Sequence, residues 1–128
     1  MIEHFIKFTP DSLKPEYISV TIADTEALLR MLYSEIGCDS IENVYTALDP
    51  DEHIIMVVDE EGLLKSGSRY NPTGSAVYGH TIVGTLIIGR QIIRDGEPDF
   101  GGFAKAEDAI RIASAAQHVT FERGVLIV

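Results

Sequence analysis

A two-residue alternation of apolar and polar side chains opens the chain. "HFIKF" (residues 4–8) follows it and stops at Pro10, which predicts a short strand. "EYISVTI" (16–22) repeats the alternation, with Tyr17, Ser19 and Thr21 on one face and Ile18, Val20 and Ile22 on the other, and predicts a second strand. The period then lengthens. In "ADTEALLRMLYSEIG" (23–37) Leu28, Leu32 and Ile36 recur every four residues and Leu29 and Tyr33 widen the stripe, so the segment reads as an amphipathic helix. Asp24 or Thr25 can cap its first N–H groups, Glu26 suits the positive end of its dipole, and Gly37 supplies the stop.

Strand character returns in "IENVYTAL" (41–48). It peaks in "HIIMVV" (53–58), where five consecutive apolar residues predict a strand covered on both faces. "DEEG" (59–62) reads as a hairpin turn. "TIVGTLIIGRQII" (81–93) is the most hydrophobic run, and Gly84 and Gly89 inside it point to a bulge or a close backbone approach. "RDGE" (94–97) is a second hairpin signal, because Asp-Gly suits a primed turn. "AKAEDAIRIASAAQH" (104–118) restores the helical period, with Ala106, Ala109, Ile110, Ala113 and Ala116 on one stripe and a Glu107–Arg111 pair on the other. "VTF" and "VLIV", on either side of "ERG", predict a closing hairpin. An early helix, a strand-rich middle and a late helix, with no repeat or linker, predict one α+β domain over 1–128: a mostly antiparallel sheet of five to seven strands with two helices packed on it.

Composition narrows the function classes. With 128 residues, 45% of them hydrophobic, the chain can bury a core without disulfides or metals. Cys38 is the only cysteine, which excludes an internal disulfide and a multi-thiolate zinc site, and nothing next to it in sequence would activate it. No run reaches the length of a membrane span, and the first residues do not form a secretory signal, so the expectation is a soluble cytoplasmic protein.

The net charge of −10 is lopsided: residues 1–61 hold fourteen acids against three bases, and residues 62–128 six acids against seven bases. Such a field repels polyanions, so direct nucleic-acid binding is disfavoured. A solvated surface accounts for the acids; an acidic face that docks a basic protein or imitates nucleic acid is the sharper alternative.

The catalytic inventory is thin. His4, His53, His80 and His118 stand apart without metal-ligand spacing, and there is no nucleophile elbow and no phosphate-binding loop. The acid clusters Asp49/Asp51/Glu52 and Asp59/Glu60/Glu61 fall on turns, where solvation explains them. No catalytic residue, metal site or cofactor is assigned, and a binding protein is favoured over an enzyme. One segment stands out. "KSGSRYNPTGSAVYGH" (65–80) interrupts two core strands with sixteen polar and turn-forming residues, longer than ordinary connections. As a plain surface cover it would turn at Asn71-Pro72 and Gly74. As a site it would present Lys65, Ser66, Arg69, Asn71, Ser75, Tyr78 and His80 as donors to a small anion such as a nucleotide phosphate.

The stretch "VVDEEGLLKSGSRYNPTGSAVYGHTIVGTLIIG" (57–89) resembles the family of domain of unknown function 3846, short proteins of bacteria, plasmids and phages. Gly37 matches the end of its helix, and Glu61 and Gly62 its turn. Asn71, Ser75, Ala76 and Tyr78 match its polar stretch, and Ile82, Val83 and Gly84 its closing strand. The resemblance spans roughly residues 16–103; the spacing around Gly74 and the alanine-rich tail depart from it. It implies a mobile-element origin and brings no activity, cofactor or catalytic residue. The resulting expectation is an accessory protein binding a small anionic ligand through 65–80, with an acidic module that blocks a basic host protein as the alternative. Open sheet edges add self-association as a further expectation.

Overall fold

The structure, a computed structural model, describes residues 1–127. Six strands form one open sheet in which every pairing is antiparallel: β1 (Ile2–Phe8), β2 (Glu16–Thr21), β3 (Ile41–Thr46), β4 (Ile54–Asp59), β5 (Leu86–Arg94) and β6 (Glu97–Gly101). The order runs β2-β1-β5-β4-β3, with β6 also paired to β5. β1 and β6 share one side of β5 end to end. Ile6, Lys7 and Phe8 of β1 pair with Ile88, Ile87 and Leu86, and β6 takes over from Arg90 to Arg94. At the changeover Gly89 lies so close to the Gly101 carbonyl that a Cβ would sit 2.3 Å from its oxygen. The glycine predicted to mark a close approach does so.

Alternation on the central strands sends side chains into two cores. Ile54, Met56, Val58, Leu86, Ile88, Ile6 and Phe8 face one layer. Ile55, Val57, Ile87, Phe5 and Phe100 face the other. The five consecutive apolar residues of β4 are all buried because both faces are covered, as predicted. Helix α1 (Thr25–Ile36) covers the second face with Leu28 and Leu32, each worth about 2–3 kcal/mol of burial. Asp24 caps it by accepting from the Ala27 N–H at 2.8 Å, and Gly37 ends it at φ +78°. On β2, Ile18 and Val20 pack toward α1 while Tyr17, Ser19 and Thr21 stay exposed, as the alternation required. Asp95 and Gly96, both at positive φ, make the two-residue turn between β5 and β6.

The other face carries helices α2 (Pro72–Tyr78) and α3 (Ala106–Ile127), so the described residues hold three α-helices where two were predicted. The extra helix is α2, inside the segment taken for a loop. Asn71 followed by proline reads as a turn in sequence, but here Asn71 is the cap and Pro72 sits in the first helical turn, where a missing N–H costs nothing. The closing hairpin predicted around "ERG" is instead the second half of α3, and Val128 lies outside the described residues. Ala109, Ile112, Ala113 and Ala116 of α3 face the core, whereas Ile110 is exposed. Arg111 reaches Asp49 at 2.8 Å in preference to the Glu107 predicted for it. "DEEG" is not a hairpin: β4 ends at Asp59, a single 3₁₀ turn follows at Gly62–Leu64, and the chain crosses through α2 before β5 starts at Leu86, five residues later than predicted.

Candidate functional site

The residues proposed from the sequence divide into three groups. Asn71 and Ser75 are buried and fully used by the fold. Asn71 Nδ2 donates to the carbonyls of Phe8 (3.1 Å) and Gly84 (2.8 Å), and its Oδ1 accepts the Gly74 N–H at 3.0 Å. Ser75 Oγ donates to the Ile82 carbonyl at 3.2 Å and accepts from the Ile82 N–H at 2.9 Å. These bonds satisfy backbone groups that burial would otherwise strand, so both side chains act as internal connectors between α2, β1 and the approach to β5.

Lys65, Ser66 and Arg69 are exposed, and both cations have acidic partners. Lys65 Nζ lies 2.6 Å from Asp59 Oδ2, and Arg69 pairs with Asp11. The Asp59 carboxylate raises the Lys65 pKa through this hydrogen bond. Burial pushes the Cys38 thiol up, and Asp59 adds to the effect, which keeps Cys38 in its unreactive protonated form.

Tyr78 and His80 remain together. Their rings pack at a centroid distance of 5.3 Å and an angle of 59°, just past the end of α2, where Gly79 at φ +85° turns the chain. They line a cavity of about 330 Å³ together with Glu42 of β3, Asp59 at the end of β4 and Glu60 just beyond it. Val58, Leu63, Ile82 and Val83 supply its apolar surface. Glu60 is oriented by the Ser40 hydroxyl at 2.8 Å and Asp59 by Lys65, whereas Glu42 is exposed. Among the described residues no three His, Cys, Asp or Glu side chains form a metal-binding group.

A second cavity of about 340 Å³ shares His80 and Thr81 with the first and is lined by Tyr70, Ser75, Ala76, Gly79 and Arg123. Arg123 comes from α3. Its guanidinium donates to the Ala76 carbonyl at 2.7 Å, filling one of the acceptors that the last turn of α2 leaves open. Sequence reasoning missed Glu42 and Arg123. Glu42 sits on a strand with no motif around it, and Arg123 fell in a segment predicted to be a hairpin; neither carries a sequence signal that ties it to residues 78–81.

No described helix is long and apolar enough to cross a membrane. No curated protein and no solved structure matches the chain. A family description, domain of unknown function (DUF3846), matches residues 3–104, which takes in all six strands, α1 and α2 and stops just before α3. With that match over most of its length, the chain belongs to the DUF3846 family of domains of unknown function.

Proposed function

We propose that the protein is a non-enzymatic interaction module whose acidic cleft receives a basic group of a partner protein. The observation that carries this reading is a cavity lined by two carboxylate residues, Glu42 and Glu60, together with Tyr78 and His80. Glu42 and Glu60 leave the cleft negative, aromatic and aliphatic walls suit the stem of a long cationic side chain, and the whole molecule carries −10. The field would steer a basic surface in and keep nucleic acid out. A mobile-element origin fits an accessory protein that occupies the basic, nucleic-acid-binding face of a host protein. The test is an NMR titration with a short Arg-rich peptide. Amide shifts centred on residues 42, 59, 60, 78 and 80 should fade as salt is raised and vanish in Glu42→Lys/Glu60→Lys. Shifts scattered over all acidic surfaces, or binding unchanged in that variant, would refute it.

The second cavity favours one other reading, a small nucleotide-like anion. None of its described lining residues is acidic, and Arg123 has N–H groups beyond the one given to Ala76. A thermal-shift panel of phosphate and nucleotides should then raise the unfolding midpoint of the native chain and not of Arg123→Gln. A midpoint that no anion moves retires this reading.

A further inference from the structure

β3 is an edge strand: it pairs with β4 and with no other strand among the described residues. The Glu60 N–H donates to the Ser40 carbonyl at 3.1 Å, directly ahead of the β3–β4 ladder. In an antiparallel ladder, hydrogen-bonded and non-hydrogen-bonded pairs alternate. The even-numbered residues Glu42, Val44 and Thr46 therefore turn their backbone groups toward β4, and those of Ile41, Asn43 and Tyr45 face outward. The strand is regular over its whole length, and its one charged residue, Glu42, is its only protection as an edge. It contains no proline and no lysine, and the register runs without a bulge from Ile41↔Asp59 to Thr46↔Ile54.

Glu42 and its cross-strand neighbour Val58 both line the acidic cavity, on the face that α2 covers. A strand added outside β3 would carry, beside Glu42 and on that same face, one side chain poised over the cavity. At about 330 Å³ the cavity has room for one long side chain. Leu63 and Val83 suit its methylene stem and the carboxylates its charge.

Resting on the cleft reading above, we propose that β3 receives an extended basic segment of a partner protein. The segment adds to the sheet as a further strand and lowers one Lys or Arg side chain beside Glu42 and Glu60. Main-chain hydrogen bonds to Ile41, Asn43 and Tyr45 supply affinity, and the cavity supplies the choice of side chain. A second copy of this chain fits the edge poorly, because two β3 strands side by side would bring both sets of Glu42, Asp59 and Glu60 together.

The experiment uses the full chain and four capped pentapeptides: Thr-Val-Arg-Val-Thr, two forms of it N-methylated at alternate amides along one edge or the other, and the same peptide with the neutral isostere citrulline for arginine. Binding and amide exchange are followed by NMR. The parent peptide should shift the cleft amides and slow exchange at Ile41, Asn43 and Tyr45. N-methylation that blocks the pairing edge should weaken binding about tenfold or more, and citrulline should abolish it. If both N-methylated peptides bind as tightly as the parent while still shifting the cleft amides, strand addition is wrong and the cleft reading survives. If no peptide binds, both fall. A concentration-dependent dimer of the free protein that protects Ile41, Asn43 and Tyr45 from exchange would also overturn the proposal.

Discussion

The side-chain amide of Asn71 donates to the carbonyl of Phe8 at 3.1 Å, tying the start of α2 to the last residue of β1. The same residue caps α2 and reaches Gly84, so three separate parts of the chain depend on one buried side chain. Asn71→Asp keeps the capping oxygen but loses the two donated bonds and sets a carboxylate against two carbonyls. Urea unfolding should show a loss of about 3 kcal/mol or more, exceeding that of Asn71→Ser, which retains the cap.

Two residues on, Thr73 has the opposite problem. Its hydroxyl is buried without a hydrogen-bond partner. Thr73→Val preserves the shape and removes the stranded polar atom, so it should raise stability by about 1 kcal/mol, read as a higher urea midpoint at unchanged slope.

Gly89→Ala would force a methyl to within 2.3 Å of the Gly101 carbonyl oxygen and 2.6 Å of the Phe100 ring. The ring can move and the carbonyl of a paired strand cannot. A destabilisation of about 3 kcal/mol or more is expected, with hydrogen exchange accelerated first along the β5–β6 pair.

Arg94 links three strands. It holds Glu3 of β1 through two bonds of 3.0 and 3.1 Å, Asp99 of β6 at 2.9 Å and the Phe100 carbonyl at 3.2 Å. These carboxylates raise its pKa further, with Glu3 the larger influence. Arg94→Met would leave two largely buried acids without their cation and should cost about 3 kcal/mol. Adding Glu3→Gln and Asp99→Asn should recover part of that loss, and a double-mutant cycle measures how much.

Asp49 gives the acid side of the pH profile. Its hydrogen bond from Arg111 and the Asp51 N–H hold its carboxyl below the usual value. A pKa depressed by folding contributes stability above the unfolded value, about 3.9, and loses it as pH falls through the folded one. Asp49→Asn should be less stable than the native chain at neutral pH, and the gap should start to close near pH 4 and vanish only as pH falls through the depressed folded value. Unfolding curves across that range check the convergence.

Legibility in sequence followed the range of the interactions. α1, with Asp24, Leu28, Leu32 and Gly37 all pointing one way, could be read because its signals lie within one segment, and so could the Asp95-Gly96 turn. β4 betrayed its double burial by being apolar without interruption. α2 was hidden because seven residues give too short a window for periodicity, and Gly74, chosen for contact with Leu86 and Ile82, reads locally as a breaker. The end of α3 is helical although Val119, Thr120 and Phe121 favour strand, so propensity misled there. At the site, Arg69 looked like an available donor because its acid, Asp11, comes from a distant part of the chain, and Lys65 because the six-residue return to Asp59 depends on the turn at Gly62–Leu64. Tyr78 and His80 came from the segment singled out in sequence, Asp59 and Glu60 were read only as solvated turn acids, and Glu42 carried no signal at all.

The end-to-end sharing of β5 by β1 and β6 also governs when this chain can fold. Ile6 must wait for Ile88 before that side of the sheet is complete, so a ribosome finishes most of the molecule while the first hairpin has only α1, on one of its faces, to pack against. Such distant pairing places the domain among slow, all-or-none folders, and its nascent form depends on acidic repulsion to stay unaggregated in the interval.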